Sequence, residues 1–296
     1  MSSFDRSIGQ PLPRNLVRYF GSGYLETIKN LELRVSNVLD HNDPFESEFP
    51  TGGELTMDNV RQLFMSRQHQ WDSLFLKIQK KYPNLKTRKS LERHFLGSID
   101  IYAKNYIDAV ESTRAKMVKV GRGVLNRALR VVCFTRVKDE PESMKFWAHY
   151  ANNSAGARIH FEIPERELIN LKKINYVPSR PVIDLTMDPQ SPAGHARFHE
   201  LLTTKDEIWK AEDELRLFVH PERCVTKNIK GKDMDFMKIG PEWITMVDVG
   251  HKADAEVTKQ LVNYVKELGY SITVRRARLP ADGSRSFSYE VLHAAT

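Results

Sequence analysis

A long helical pattern breaks into a chain that is otherwise patterned for strands, and this interruption constrains the fold more than any other feature. Within residues 55–128, Val60, Leu63, Phe64, Trp71, Leu74, Phe75 and Ile78 recur every three or four positions. That spacing lines one face of a helix, with Asp58 placed to cap it and Pro83 to stop it. A second helical pattern starts near Ser98 and carries Tyr102, Tyr106, Ile107, Val110 and Met117, with Gly121 and Gly123 predicted to close it. The two together predict a helical hairpin inserted between strands.

On both sides the pattern is that of strands. Leu16–Phe20 reads as a short strand ended by Gly21 and Gly23, Tyr24, Leu25 and Ile28 as a helical turn or two, and Leu31, Leu33 and Val35 as a half-buried strand. After the insertion, 129–135 reads as a central strand, 144–151 as a short helix, and 156–163, 174–177 and 212–219 as strands. The proline-rich 178–194 predicts a loop, and 197–208 a helix. The last stretch has a β-α-β-β rhythm: strand 243–249, a helix capped by Asp254 and ended by Gly269, then strands 271–277 and 287–291. These elements predict an α/β (α+β) chain with a mixed sheet, one domain over 1–296 with residues 55–128 inserted.

The insertion also carries the charge. The chain is formally +7, but residues 77–130 hold 14 Lys/Arg against 4 Asp/Glu, a net +10, and the remainder is −3. A concentrated basic face attracts polyanions. A nucleic-acid partner is expected there, with Lys80, Lys81, Lys86, Arg88, Lys89 and Arg93 on its phosphates; a solvated helical surface is the plainer reading. No apolar run approaches the ~20 residues of a membrane helix. Met1–Arg14 has no signal-peptide core, so no membrane association and a cytoplasmic location are expected. With two cysteines, Cys133 and Cys224, no disulfide framework or paired-cysteine zinc site is expected. Walker, GxGxxG, GxSxG and HExxH patterns are missing, so no P-loop or metal chemistry is expected.

Three clusters could carry chemistry. In Trp209-Lys210-Ala211-Glu212-Asp213-Glu214-Leu215-Arg216, two glutamates at i and i+2 on a strand would point the same way, joined by Arg216. A carboxylate presented from a strand can stabilise an oxocarbenium-like centre, although an exposed, salt-bridged strand face has the same pattern. In Phe146-Trp147-Ala148-His149-Tyr150-Ala151, His149 and Tyr150 suit acid/base work or stacking on a ring; as core aromatics they need no ligand. In His41-Asn42-Asp43-Pro44-Phe45, Asn42 and Asp43 suit ligand contact from a rigid loop, or simply a turn.

Taken in order, Arg18-Tyr19, Asn42-Asp43-Pro44-Phe45, Cys133-Phe134-Thr135, Trp147-Ala148-His149-Tyr150-Ala151 with Gly156, and Trp209 with Glu212, Glu214 and Arg216 resemble the motif series of the bacterial domain-of-unknown-function family 2971. The resemblance covers about residues 16–292. Phe20, His41, Thr135, Phe146 and Ala211 depart from that pattern. A weaker similarity is to ADP-ribosyltransferase-like toxins, which also open on a strand with a polar-aromatic pair and finish on a strand presenting a glutamate. That similarity implies a split-sheet core with NAD as substrate. Glu214 or Glu212 would act on the ribose, with His149 as a further catalytic group. Arg18, Tyr19, Asn42, Asp43, Trp147, Tyr150, Trp209 and Arg216 would line the dinucleotide site. It implies a toxin, effector or defence enzyme that modifies nucleic acid or protein. A nucleic-acid-binding protein without chemistry and a metal-independent nuclease are the other readings of the same residues.

Overall fold

The computed structural model describes residues 12–37, 51–52, 55–138, 142–179, 181–184, 191–284 and 286–295. In chain order, β1 (Asn15–Phe20), α1 (Tyr24–Asn30), β2 (Glu32–Asn37) and β3 (Thr51–Gly52) lead into α2 (Met57–Ser66), α3 (Trp71–Lys81), α4 (Arg88–Gly97) and α5 (Ile99–Ala128). Then follow β4 (Arg130–Arg136), α6 (Ser143–His149), β5 (Ala157–Glu162), β6 (Leu171–Lys173), β7 (Asn175–Val177), β8 (Ile183–Asp184), α7 (Pro192–Leu202) and β9 (Thr204–Asp206). The remaining elements are β10 (Glu214–Val219), β11 (Cys224–Ile229), β12 (Lys232–Lys238), β13 (Ile244–Val249), α8 (Ala255–Glu267), β14 (Thr273–Arg278) and β15 (Ser288–His293). The chain divides into two compact units, one of residues 1–41, 126–176 and 207–296, the other of 42–125 and 177–206. Residues 177–206 thus join the helical insertion, a grouping the sequence pattern does not carry.

The first unit is built on a mixed eleven-stranded sheet, with β13 and β14 parallel and the neighbouring pairs antiparallel. Its centre is β4. One edge of β4 pairs with β10 over Arg130–Thr135. The other edge is shared: β1 takes Thr135 and Arg136, and β2 takes Arg130 and Val131. The sheet therefore splits where β1 and β2 leave the same strand, and Arg18 donates across the gap to the Arg34 carbonyl at 2.8 Å.

Side chains alternate across a strand, so each strand divides its residues between the two faces. One face is apolar: Leu16, Val132, Phe134, Ile159, Phe161, Leu215, Leu217, Val247 and Val274 form a single core with Ile28 of α1 and Leu261 and Val265 of α8. The α8 helix starts where Asp254 accepts from the amides of Glu256 and Val257, as the sequence predicts.

The second unit has its own aromatic core. Phe95 of α4 is fully buried and meets Trp71, Phe64 and Tyr102 at ring-centroid distances of 5.3, 5.8 and 5.4 Å. The helix expected from Asp58 is two helices, because a 3-10 turn at Gln68–Gln70 separates α2 from α3, and its cap is Thr56, which accepts from the Asn59 amide. The sequence pattern does not show α4, since only Leu91 and Phe95 of its ten residues are buried. Gly121 and Gly123 do not end α5, which continues to Ala128. The helix expected over 197–208 runs instead from Pro192 to Leu202, capped by Ser191, with Pro192 at the first turn, where its missing N–H costs nothing.

Candidate functional site

The second face of the large sheet is lined by polar side chains that are nevertheless buried. Val17 and Tyr19 of β1 pair with His160 and Arg158 of β5, and Arg158 pairs with Asp248 of β13. The row continues through Arg275 of β14 to β15, where Tyr289 lies opposite Ala277. On the far side of Val17 the same face carries Thr135 and Cys133 of β4, then Glu214 and Arg216 of β10. The short helix α6 lies on this face: Tyr19 stacks on Phe146 at 5.3 Å and meets the edge of Trp147 at 5.4 Å.

Asp248, with no exposed surface, is the centre of one cluster. Its Oδ2 accepts from Arg158 Nη2 at 2.8 Å and Nε at 3.0 Å and contacts His160 Nε2 at 2.7 Å, while its Oδ1 accepts from Arg275 Nε at 2.6 Å. Arg158 also donates to the hydroxyls of Tyr289 at 2.8 Å and Tyr19 at 3.4 Å. Burial alone would raise the Asp248 carboxyl; the bonds from His160 and Arg275 and the charge of Arg158 outweigh it and hold the group well below the ordinary carboxylate range. Burial also pushes His160 down, against the pull of Asp248, so the imidazole favours its neutral form.

The second cluster contains the glutamates. Glu214 is buried and clamped by Arg216 two residues on, Oε1 to Nε at 2.7 Å and Oε2 to Nη2 at 3.2 Å. Its amide donates to the Tyr176 hydroxyl at 2.9 Å. Glu212 does not share this strand: it ends the 3-10 turn Glu207–Glu212, and Asp213, at φ 45°, turns the backbone before β10 begins. The expected i, i+2 alignment of the two carboxylates is therefore lost, because a left-handed residue between them interrupts the alternation. Glu212 is half-buried, its Oε1 accepts from the Tyr150 hydroxyl, and its carbonyl accepts from Thr135 Oγ1 at 2.5 Å.

Tyr150 is aimed by the way α6 ends. Asn152, Asn153 and Ser154 are three successive left-handed residues, at φ 47°, 51° and 66°. Such a run closes the helix by returning amides to its carbonyls, Asn153 to Ala148 and Ser154 to Trp147. Gly156 follows because a Cβ there would stand 1.9 Å from the Phe20 carbonyl oxygen.

Tyr19, Trp147, Tyr150, Glu212, Glu214 and Arg216 thus belong to one face or the turns beside it. Trp209 is half-buried in the turn that carries Glu212. His149 is exposed, its ring 6.4 Å from that of Tyr150. Arg18 is on the opposite face from Tyr19, its guanidinium 5.4 Å from the Phe20 ring. Asn42 and Asp43 lie outside the described residues. Lys80, Lys81, Lys86, Arg88, Lys89 and Arg93 are exposed in the second unit. Sequence reasoning did not single out Arg158, His160, Asp248, Arg275 or Tyr289. The usable signal was the alternation in Arg158-Ile159-His160-Phe161, which places two titratable side chains on one face of a strand that is apolar on the other.

No family model matches the chain, and no curated protein or solved structure matches it. Among the described residues, no group of three or more His, Cys, Asp or Glu side chains is arranged to hold a metal ion, and no helix is long and apolar enough to cross a membrane.

Proposed function

We propose that this chain cleaves NAD and transfers ADP-ribose, with Glu212 as the carboxylate that faces the ribose. The observation that carries this reading is the pairing of Glu212 with Tyr150: a half-buried carboxylate held by the hydroxyl of a second residue from the same motif series. Glu214 follows Glu212 at the start of β10, its own carboxylate clamped by Arg216 on the same strand. The split between β1 and β2 is a further feature that the similarity to ADP-ribosyltransferase-like toxins implies.

In the proposed step, the bond between ribose C1′ and the nicotinamide nitrogen breaks and its electron pair leaves with the now neutral nicotinamide. The Glu212 carboxylate stabilises the positive charge left on the ribose until an acceptor nucleophile attacks C1′ and loses its proton to solvent. Tyr150 acts as a positioning residue, fixing the carboxylate before charge develops.

The test is nicotinamide release from labelled NAD, with label followed into DNA, RNA or protein. Glu212→Gln is expected to lower release about 100-fold or more while leaving the fold intact. Glu214→Gln is expected to lower both activity and Tm, because it leaves the buried Arg216 without its carboxylate. If the protein neither binds nor consumes NAD, the reading fails; oligonucleotide cleavage without NAD would establish the nuclease instead.

A further inference from the structure

We infer that the corner joining α3 to α4 is a binding surface for the phosphate backbone of nucleic acid. This inference is independent of the NAD chemistry. From Ser73 to Leu91 the chain has six Lys/Arg and no Asp or Glu. Lys77, Lys80, Lys81, Lys86, Arg88, Lys89 and the following Arg93 are all exposed. Arg88 pairs with Asp72, whereas Lys77, Lys80, Lys86, Lys89 and Arg93 have no ion pair among the described residues.

Helix stability accounts for only part of this charge. Lys80 and Lys81 close α3, where cations favour the negative end of the helix dipole. Arg88 and Lys89 stand in the first turn of α4, which has no acidic residue, and there the same dipole opposes them. The start of α4 is already satisfied by neutral groups, a capping box in which Thr87 and Ser90 exchange hydrogen bonds. Arg88 is compensated by Asp72 and by the Phe75 ring, so Lys89 is the cation whose cost to the free protein an anionic partner offsets.

The partner's class follows from the rest of the corner. Lys77 and Lys81, and Lys89 and Arg93, are i, i+4 pairs, about 6 Å apart along their helices at 1.5 Å per residue, a spacing that suits successive backbone phosphates. A bilayer fits less well, because Trp71, Phe75 and Ile78 of α3 are spent on the unit's own core and Leu76 alone of the helix's large apolar side chains is exposed, too little to insert.

The experiment is fluorescence anisotropy of the full chain with labelled 20-mers of duplex DNA, single-stranded DNA and single-stranded RNA, without NAD, at 50 and 200 mM salt. Affinity for the duplex is expected to fall about a hundredfold over that range if some four phosphates are neutralised. The variant Lys80→Gln/Lys86→Gln/Lys89→Gln/Arg93→Gln is expected to bind at least tenfold more weakly at 50 mM and to flatten the salt dependence. Its Tm should stay close to that of the parent, since Lys89→Gln relieves the start of α4 while Lys80→Gln gives up a favourable charge at the end of α3. Lys232→Gln/Lys252→Gln/Lys266→Gln, in the other unit, is expected to bind as the parent does. Absence of binding at 50 mM, parental binding by the fourfold variant, or tighter binding to polyglutamate or phosphatidylserine vesicles would overturn the inference.

Discussion

Asp248 shows how far a single side chain can govern one face of the sheet. It binds Arg158, His160 and Arg275 at once, so Asp248→Asn leaves two guanidinium groups without their carboxylate. The expected cost is about 3–5 kcal/mol, measured by urea unfolding at pH 7.5. His160 adds a pH dependence. Its proton is held less readily in the folded than in the unfolded chain, so the unfolded chain takes up more protons once pH falls below about 6.5, and stability declines there. Asp248 acts in the same direction at lower pH: its depressed carboxyl stabilises the fold above about pH 3.8, and that contribution is lost as pH falls further. Unfolding free energy is therefore expected to be lower at pH 5 than at pH 7.5, and His160→Asn should reduce that difference, to which His251, also pushed down by burial, contributes in the same direction. At Gly156 the constraint is steric, with a Cβ 1.9 Å from the Phe20 carbonyl, and Gly156→Ala is expected to cost about 3 kcal/mol by the same measurement.

Helix α8 shows which element signals were legible. The Asp254 cap, the apolar stripe and Gly269 marked α8 at both ends, and removing the two bonds that Asp254 accepts through Asp254→Ala is expected to cost about 1 kcal/mol of thermal stability. The α4 helix was illegible because its core contribution is two residues on a strongly basic background. In α5 the glycines were misleading: glycine in a helix interior costs only about 1 kcal/mol relative to alanine, which a thirty-residue helix can absorb. The Glu212–Glu214 pattern looked like strand alternation, yet Asp213 in the left-handed region puts one glutamate in a turn and the other on β10. Asp and Asn adopt that conformation more readily than most residues, and nothing in a one-dimensional pattern reports when they do.

At the scale of the whole molecule, burial is graded across the sheet. Every residue of β5 but the last is buried, whereas β11 and β15 have no fully buried residue. Hydrogen exchange is therefore expected to be slowest in β1, β4 and β5 and fastest in β11 and β15, and the reverse order would contradict the strand arrangement. The order of polar and apolar residues was enough to determine that strands surround a basic helical segment, because periodicity and charge are properties of neighbours in the chain. It also marked Tyr150 and the glutamates as candidates, whereas Tyr19 entered only through the family resemblance. Only the folded sheet decided that Arg158, His160, Asp248 and Arg275 meet, since they come from three strands up to 117 positions apart and pair through register. It likewise decided that Glu214 belongs to a buried ion pair while Glu212 reaches Tyr150. Local pattern determines which way a side chain faces along its own strand; what that side chain meets depends on the strand laid beside it.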